Sequence, residues 1–112
     1  MAGKFEIYKD NADEFRFRLK AGNGETLLSS EGYADRSGAM NGIKSVQSNA
    51  TDGARFQPTD SDGSNFRFNL TAKNNQIIGT SQNYTSASAR DNGIAAVGRA
   101  ADGAEMVDMT QT

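Results

Sequence analysis

Phe15-Arg16-Phe17-Arg18-Leu19-Lys20-Ala21 alternates apolar and basic residues along its whole length, the pattern of a strand with one face buried. Phe66-Arg67-Phe68-Asn69-Leu70-Thr71-Ala72 repeats it 51 residues further on. At that shift Asn23 falls on Asn74, Ser30 on Ser81, Tyr33 on Tyr84, Asn41-Gly42-Ile43 on Asn92-Gly93-Ile94, Val46 on Val97 and Ala50 on Ala101, with no gap. A register held over that length marks a duplicated motif, and a duplication constrains the whole architecture where a single element constrains only itself.

Working outward, the ends of the two copies overlap. Phe5 falls on Phe56, and Phe56 in turn falls on Val107. Ala54-Arg55-Phe56-Gln57 therefore reads equally well as the close of the first copy or the opening of the second. The expected organisation is one domain over residues 1–112, made of intertwined repeats at about 4–57 and 55–109 that share the strand around Phe56.

Each copy reads β-β-β-α-β. Lys4 to Lys9 alternates as a half-buried strand, and Asp10-Asn11-Ala12-Asp13 is turn chemistry. Asn23-Gly24 points to a type I′ hairpin with two residues at positive φ, and Asn74-Asn75 is its weaker counterpart. Short third strands are expected near residues 25–29 and 76–80, although the apolar pairs Leu27-Leu28 and Ile77-Ile78 leave their inward side open. The period then becomes helical, with Ala39, Ile43, Val46 and Ala50 in one copy and Ile94, Val97 and Ala101 in the other. Ser37 and Ser88 are the expected N-caps, with Ser88 and Asp91 resembling a capping box. Gly42 and Gly93 sit inside these helices, where Gly costs about 1 kcal/mol relative to Ala. That cost at the same place twice points to close packing of the helix backbone. Pro58 is expected at an edge, a bulge or a strand end. The fold class is α+β: a single antiparallel sheet with two helices on one face.

Composition excludes more than it assigns. The chain has 112 residues, no Cys and no His, and a formal net charge of -2. Triad, thiol and zinc chemistry are absent with those residues, and no carboxylate pair has the spacing of a catalytic dyad. The protein is accordingly expected not to be an enzyme and to need no cofactor or metal. The charge gives no global basic footprint for nucleic acid. The opening Met-Ala-Gly-Lys-Phe-Glu lacks a signal-peptide apolar run and no stretch has the length of a membrane span, so a cytoplasmic protein is expected.

Phe15 to Glu25, Ser30 with Tyr33, and Asn41-Gly42-Ile43-Lys44-Ser45-Val46 with Asn49-Ala50 together resemble the YegP-like family of small bacterial proteins, over nearly the whole chain from Lys4 to about Met109. The resemblance implies two β-β-β-α-β units forming one continuous sheet and exchanging their C-terminal strands. It implies no activity and no functional residues. The second copy departs from the pattern at Asn74-Asn75 and at Gly98-Arg99-Ala100.

Four residues form the candidate binding set. Arg16, Arg18 and Arg67 project from the strand face opposite the phenylalanines, and Tyr8 shares that face. Such a surface suits single-stranded nucleic acid through phosphate contacts and stacking; alternatively Glu6 neutralises an arginine across the ladder and the face is merely solvated. Asp60-Ser61-Asp62-Gly63-Ser64-Asn65 resembles part of a calcium loop, but its closing position is Thr71, so a polar hairpin connection is the expectation. Tyr33 and Tyr84 are expected to pack at sheet–helix junctions with wet hydroxyls, and Asn41 and Asn92 to be buried and hydrogen-bonded. Gly22-Asn23-Gly24 joins two strands and is no phosphate loop. The sequence thus favours a non-enzymatic binding or interaction module, monomeric, with an unknown partner. Nucleic-acid binding on the open face is the alternative, and assembly through sheet edges a weaker one.

Overall fold

The computed structural model describes residues 3–61 and 65–110. Its order is β1 (Lys4–Lys9), β2 (Phe15–Lys20), β3 (Thr26–Ser29), α1 (Arg36–Asn49), a 3-10 turn (Gly53–Arg55), β4 (Phe56–Ser61), β5 (Asn65–Thr71), β6 (Ile77–Thr80), α2 (Ala87–Ala101) and β7 (Glu105–Asp108). The strands form one sheet in the order β4-β5-β6-β3-β2-β1-β7. Both helices pack against the face that carries Phe5, Ile7, Phe17, Leu19, Phe68 and Leu70, all of which are fully buried.

The sheet is mixed rather than purely antiparallel. β7 runs parallel to β1, pairing Lys4 with Glu105 through Ile7 with Asp108, while every other ladder is antiparallel. The closing strand of the second repeat thus lies on the opening strand of the first. At the other end β4 pairs only with β5, as the opening strand of its own repeat. One segment cannot be two strands, so the Phe56 stretch opens the second repeat and leaves β4 as an edge. Pro58 sits on that edge, at the position equivalent to Ile7, whose carbonyl turns outward to accept from the Met109 amide. A proline there sacrifices no ladder hydrogen bond.

Each repeat builds its core around a three-ring cluster. Phe17 meets Phe5 edge-on with centroids 6.0 Å apart and stacks on Tyr33 at 6.2 Å. Phe68 meets Phe56 at 5.6 Å and Tyr84 at 6.3 Å in the same geometries. The ambiguity of the third strands is resolved by a bulge. Leu19 pairs with Leu28 and Lys20 with Thr26, so Leu27 is the extra residue, and Leu27 and Leu28 are both buried. In the second copy Ile78 is the extra residue, whereas Ile77 is 43% exposed. The equivalents to compare are therefore Leu27 with Ile78 and Leu28 with Gly79. A Cβ on Gly79 would lie 2.6 Å from Leu28 Cγ. Where β3 and β6 pair across the centre, at Ser29 and Thr80, there is room for one leucine and not for two.

Two local expectations need correction. The helices start earlier: the Asp35 carboxylate accepts from the Gly38 amide and the Ser86 hydroxyl accepts from the Ala89 amide, so Ser37 and Ser88 are not caps. The first hairpin is not type I′: the Gly24 amide donates to the Ala21 carbonyl, so the central residues are Gly22 and Asn23, neither of which has positive φ, and Gly24 follows at φ 88°. Asn23 instead accepts the Glu25 amide with its side chain, and Asn75 takes the left-handed position in the copy, which Asn tolerates better than most residues. The mid-helix glycines do mark close packing. A Cβ on Gly42 would lie 2.6 Å from the Tyr33 hydroxyl and 2.7 Å from the Phe17 ring, and one on Gly93 would collide with the Tyr84 hydroxyl.

Candidate functional site

The open sheet face carries the four residues singled out from the sequence, and it is largely self-neutralised in the first repeat. Glu6, only 6% exposed, lies across the ladder from Arg18 and accepts from its Nε at 2.7 Å. Lys4 and Lys20 flank the same carboxylate at 3.5 and 3.6 Å. The Arg18 hydrogen bond is the main reason this carboxyl is held below its ordinary range, against the cost of its burial. Arg16 reaches Asp10 at 2.5 Å and donates to the Ser30 carbonyl at 3.1 Å. Tyr8 lies beneath the Arg18 guanidinium, 4.6 Å from its ring centre. Of the three arginines, Arg67 alone makes no ion pair among the described residues. It stands on β5, three strand spacings from β2, or about 14 Å. The structure brings Tyr8 and Arg18 together and leaves Arg67 apart. Part of the calcium-like loop, Asp62-Gly63-Ser64, lies outside the described residues.

The other face holds a pair of grooves that the sequence did not reveal. One, of about 340 Å³, lies between the first repeat's hairpin, with Ala21, Asn23, Glu25 and Leu27, and the second repeat's Tyr84, Asn92, Gly93 and Ala96. The other, of about 380 Å³, lies between Ala72, Asn74, Gln76 and Ile78 of the second hairpin and Tyr33, Asn41, Gly42 and Ser45 of the first repeat. Residue for residue these are equivalents at the 51-residue shift. Each groove thus takes its hairpin wall from one repeat and its helix wall from the other.

Asn41 and Asn92 are exposed, not buried, and neither side chain hydrogen-bonds to a described residue. They face Asn74 and Asn23 across the grooves. Those hairpin asparagines use their carbonyl oxygens to cap the following turn, accepting from the Gln76 and Glu25 amides, which leaves their NH2 groups to donate outward. The tyrosines pack on Phe17 and Phe68 as expected, but the Tyr84 hydroxyl is buried and makes no hydrogen bond among the described residues. Burial, with a smaller contribution from Glu31, raises the Tyr33 hydroxyl above its ordinary range. The available signal was the Asn-Gly pair inside both helices. Both residues are poor helix formers; the tyrosine contact explains Gly, and nothing inside the fold explains Asn.

A family model described as a domain of unknown function, DUF1508, matches residues 10–57 and 60–108. The chain belongs to this family. A UPF0339 protein in the ptx operon 5′ region of Stutzerimonas stutzeri is 52% identical over 109 residues, covering 97% of this chain and 98% of the relative. The UPF0339 protein YegP of Escherichia coli K12 is 50% identical over 97 residues, covering 87% of this chain and 88% of the relative. The solution structure of yegP from E. coli, a protein of unknown function, superposes with a TM-score of 0.93 at 45% identity, covering all of this chain and 97% of the other. The solution structure of a UPF0339 protein from Shewanella oneidensis does so at 0.92 and 49% identity, covering 98% of this chain and 93% of the other. These relatives carry the fold and the duplication, and the family has no assigned function. No helix among the described residues is long and apolar enough to cross a membrane.

Proposed function

We propose that the protein is a small, non-enzymatic binding module whose sites are the two inter-repeat grooves. The reading includes a monomer with internal pseudo-twofold symmetry and a cytoplasmic location, with which the absence of cysteine is in keeping. The observation that carries it is the pair Asn41 and Asn92. Two exposed carboxamides, with no hydrogen bond to any described residue, stand at equal places in two helices, each opposite a hairpin asparagine whose NH2 group points outward. Converging polar groups above an apolar floor are what orients a small ligand, and the volumes fall in the range of small-molecule sites. Planar polar groups such as amides and heterocycles match the carboxamides, and the tyrosine rings offer them an apolar side.

Amide NMR with a set of small polar heterocycles and amides tests this. Shifts are expected to cluster on the groove residues, with Asn41→Ala removing only those of the α1 groove and Asn92→Ala only those of the α2 groove. Absence of clustered shifts at millimolar ligand removes the proposal. Nucleic-acid binding on the open sheet face has less support, because Arg16 and Arg18 are already engaged by Asp10 and Glu6. A labelled single-stranded oligonucleotide titrated at low salt separates the two readings.

A further inference from the structure

The frame of the two grooves is shared, but their charge is not. The α1 groove continues along its helix into a second hollow of about 540 Å³, with Asn41 and Ser45 lining both parts. Lys44 and Lys73 line this extension, together with Ser48 and Asn49. Among the described residues neither lysine is in an ion pair and no carboxylate lines either part. The equivalents of the two lysines in the other repeat are Ala95 and Gly22. The α2 groove instead carries Arg99 and Glu25, of opposite sign, and Gln82 donates to the Glu25 carboxylate at 2.6 Å. The two ends of the α1 groove also differ from each other. Tyr33, Gly42, Ala72 and Ile78 make one end apolar, and the lysines and serines make the other cationic and hydrogen-bonding.

We infer that the α1 groove, and not the α2 groove, binds a small ligand with an anionic head, a phosphate or a carboxylate, and a flat apolar body. The head lies between Lys44 and Lys73, where Ser45 and Ser48 hydroxyls add donors, and the body lies against Tyr33. Lysines act here as mobile point charges. Both are exposed at the surface, so binding is modest in strength and weakens with salt. The inference rests on the reading of the grooves as binding sites and adds the ligand class and the division of labour between them.

Phenyl phosphate, benzoate and neutral benzyl alcohol, titrated at fixed pH and followed by amide NMR, test it. One or both anions are expected to give saturable shifts at Gly42, Lys44, Ser45 and Lys73. Those shifts weaken with added salt and require about tenfold more ligand in the Lys44→Gln/Lys73→Gln double variant, a loss equivalent to about 1.4 kcal/mol. Both lysines are exposed, and the spectrum itself reports that the variant remains folded. Saturation by the phosphate alone or by the carboxylate alone identifies the head group. Equal response to all three probes, equal response in the α2 groove, or binding unchanged in the double variant overturns the anionic assignment while leaving the grooves as sites. No response in either groove, here and with the neutral heterocycles and amides, removes both readings.

Discussion

The two repeats share a core and differ in how the sheet is finished around it. In the first, β7 covers β1, Glu6 draws Lys4, Arg18 and Lys20 together, and Leu28 fills the centre. In the second, β4 is an edge, the positions of Glu6, Arg18 and Lys20 hold Gln57, Asn69 and Thr71, and the centre is Gly79. Thr71 replaces the ionic cluster with a hydrogen bond from its hydroxyl to the Arg55 carbonyl at 3.0 Å. The difference teaches where duplication is held fixed. Ring stacks inside a close-packed interior leave little room for drift, whereas the outer face and the groove walls need only remain wettable.

The largest test of this comparison is at the first aromatic of each repeat. Phe5 is fully buried beneath neighbours on both sides, whereas Phe56 is 8% exposed on the edge strand. Phe5→Ala is expected to cost about 3–5 kcal/mol and Phe56→Ala measurably less, by urea denaturation. Equal costs would mean that the missing strand beside β4 does not matter. Next come the helix glycines. Gly42→Ala and Gly93→Ala are each expected to destabilise by about 1–3 kcal/mol through overpacking, despite the better helix propensity of Ala. Adding Tyr84→Phe should relieve part of the second cost, since the hydroxyl is the nearest obstacle there. Adding Tyr33→Phe should relieve less of the first, since the Phe17 ring remains 2.7 Å away.

The smallest expected effect is acid sensitivity confined to one end of the sheet. Glu6, Asp10 and Asp108 are all held below their ordinary range, first by hydrogen bonds from Arg18, Arg16 and Thr110 respectively. Their stabilisation is present above the unfolded-state value and is lost as pH falls through the lowered ones, from about pH 4 downward. Hydrogen-exchange protection, corrected for the intrinsic rate, should therefore fall at pH 3 in β1, β2 and β7 before β5. Glu6→Gln, already neutral, should narrow the gap in melting temperature between pH 7 and pH 3. Uniform loss of protection across both repeats would contradict the contrast.

How much of this was legible follows from what each signal depends on. The alternation of Phe15 to Lys20, the close packing at the mid-helix glycines and an edge as one of the three places open to Pro58 are local patterns with a local cause, and they read correctly. The helix starts were misplaced by two residues because Ser37 and Ser88 look like caps, while Asp35 and Ser86, equal in the repeat, do the capping. Leu27-Leu28 could not be assigned a side because a bulge depends on the partner strand. The partnering of Arg18 was visible as one of two outcomes, since Glu6 stood on a neighbouring strand. The grooves were not legible, because each is assembled from a hairpin and a helix of different repeats.

The parallel pairing of β7 with β1 also sets an order of events. Glu105 donates to the carbonyl of Gly3, and Met109 to that of Ile7, so the first strand acquires its outer neighbour only after residues 105–109, about a hundred positions later in the sequence, have emerged from the ribosome. Contacts so distant in sequence slow folding. During synthesis the first repeat presents β1 as a bare strand edge, the surface most open to pairing with another chain, and arrival of the last strand closes it.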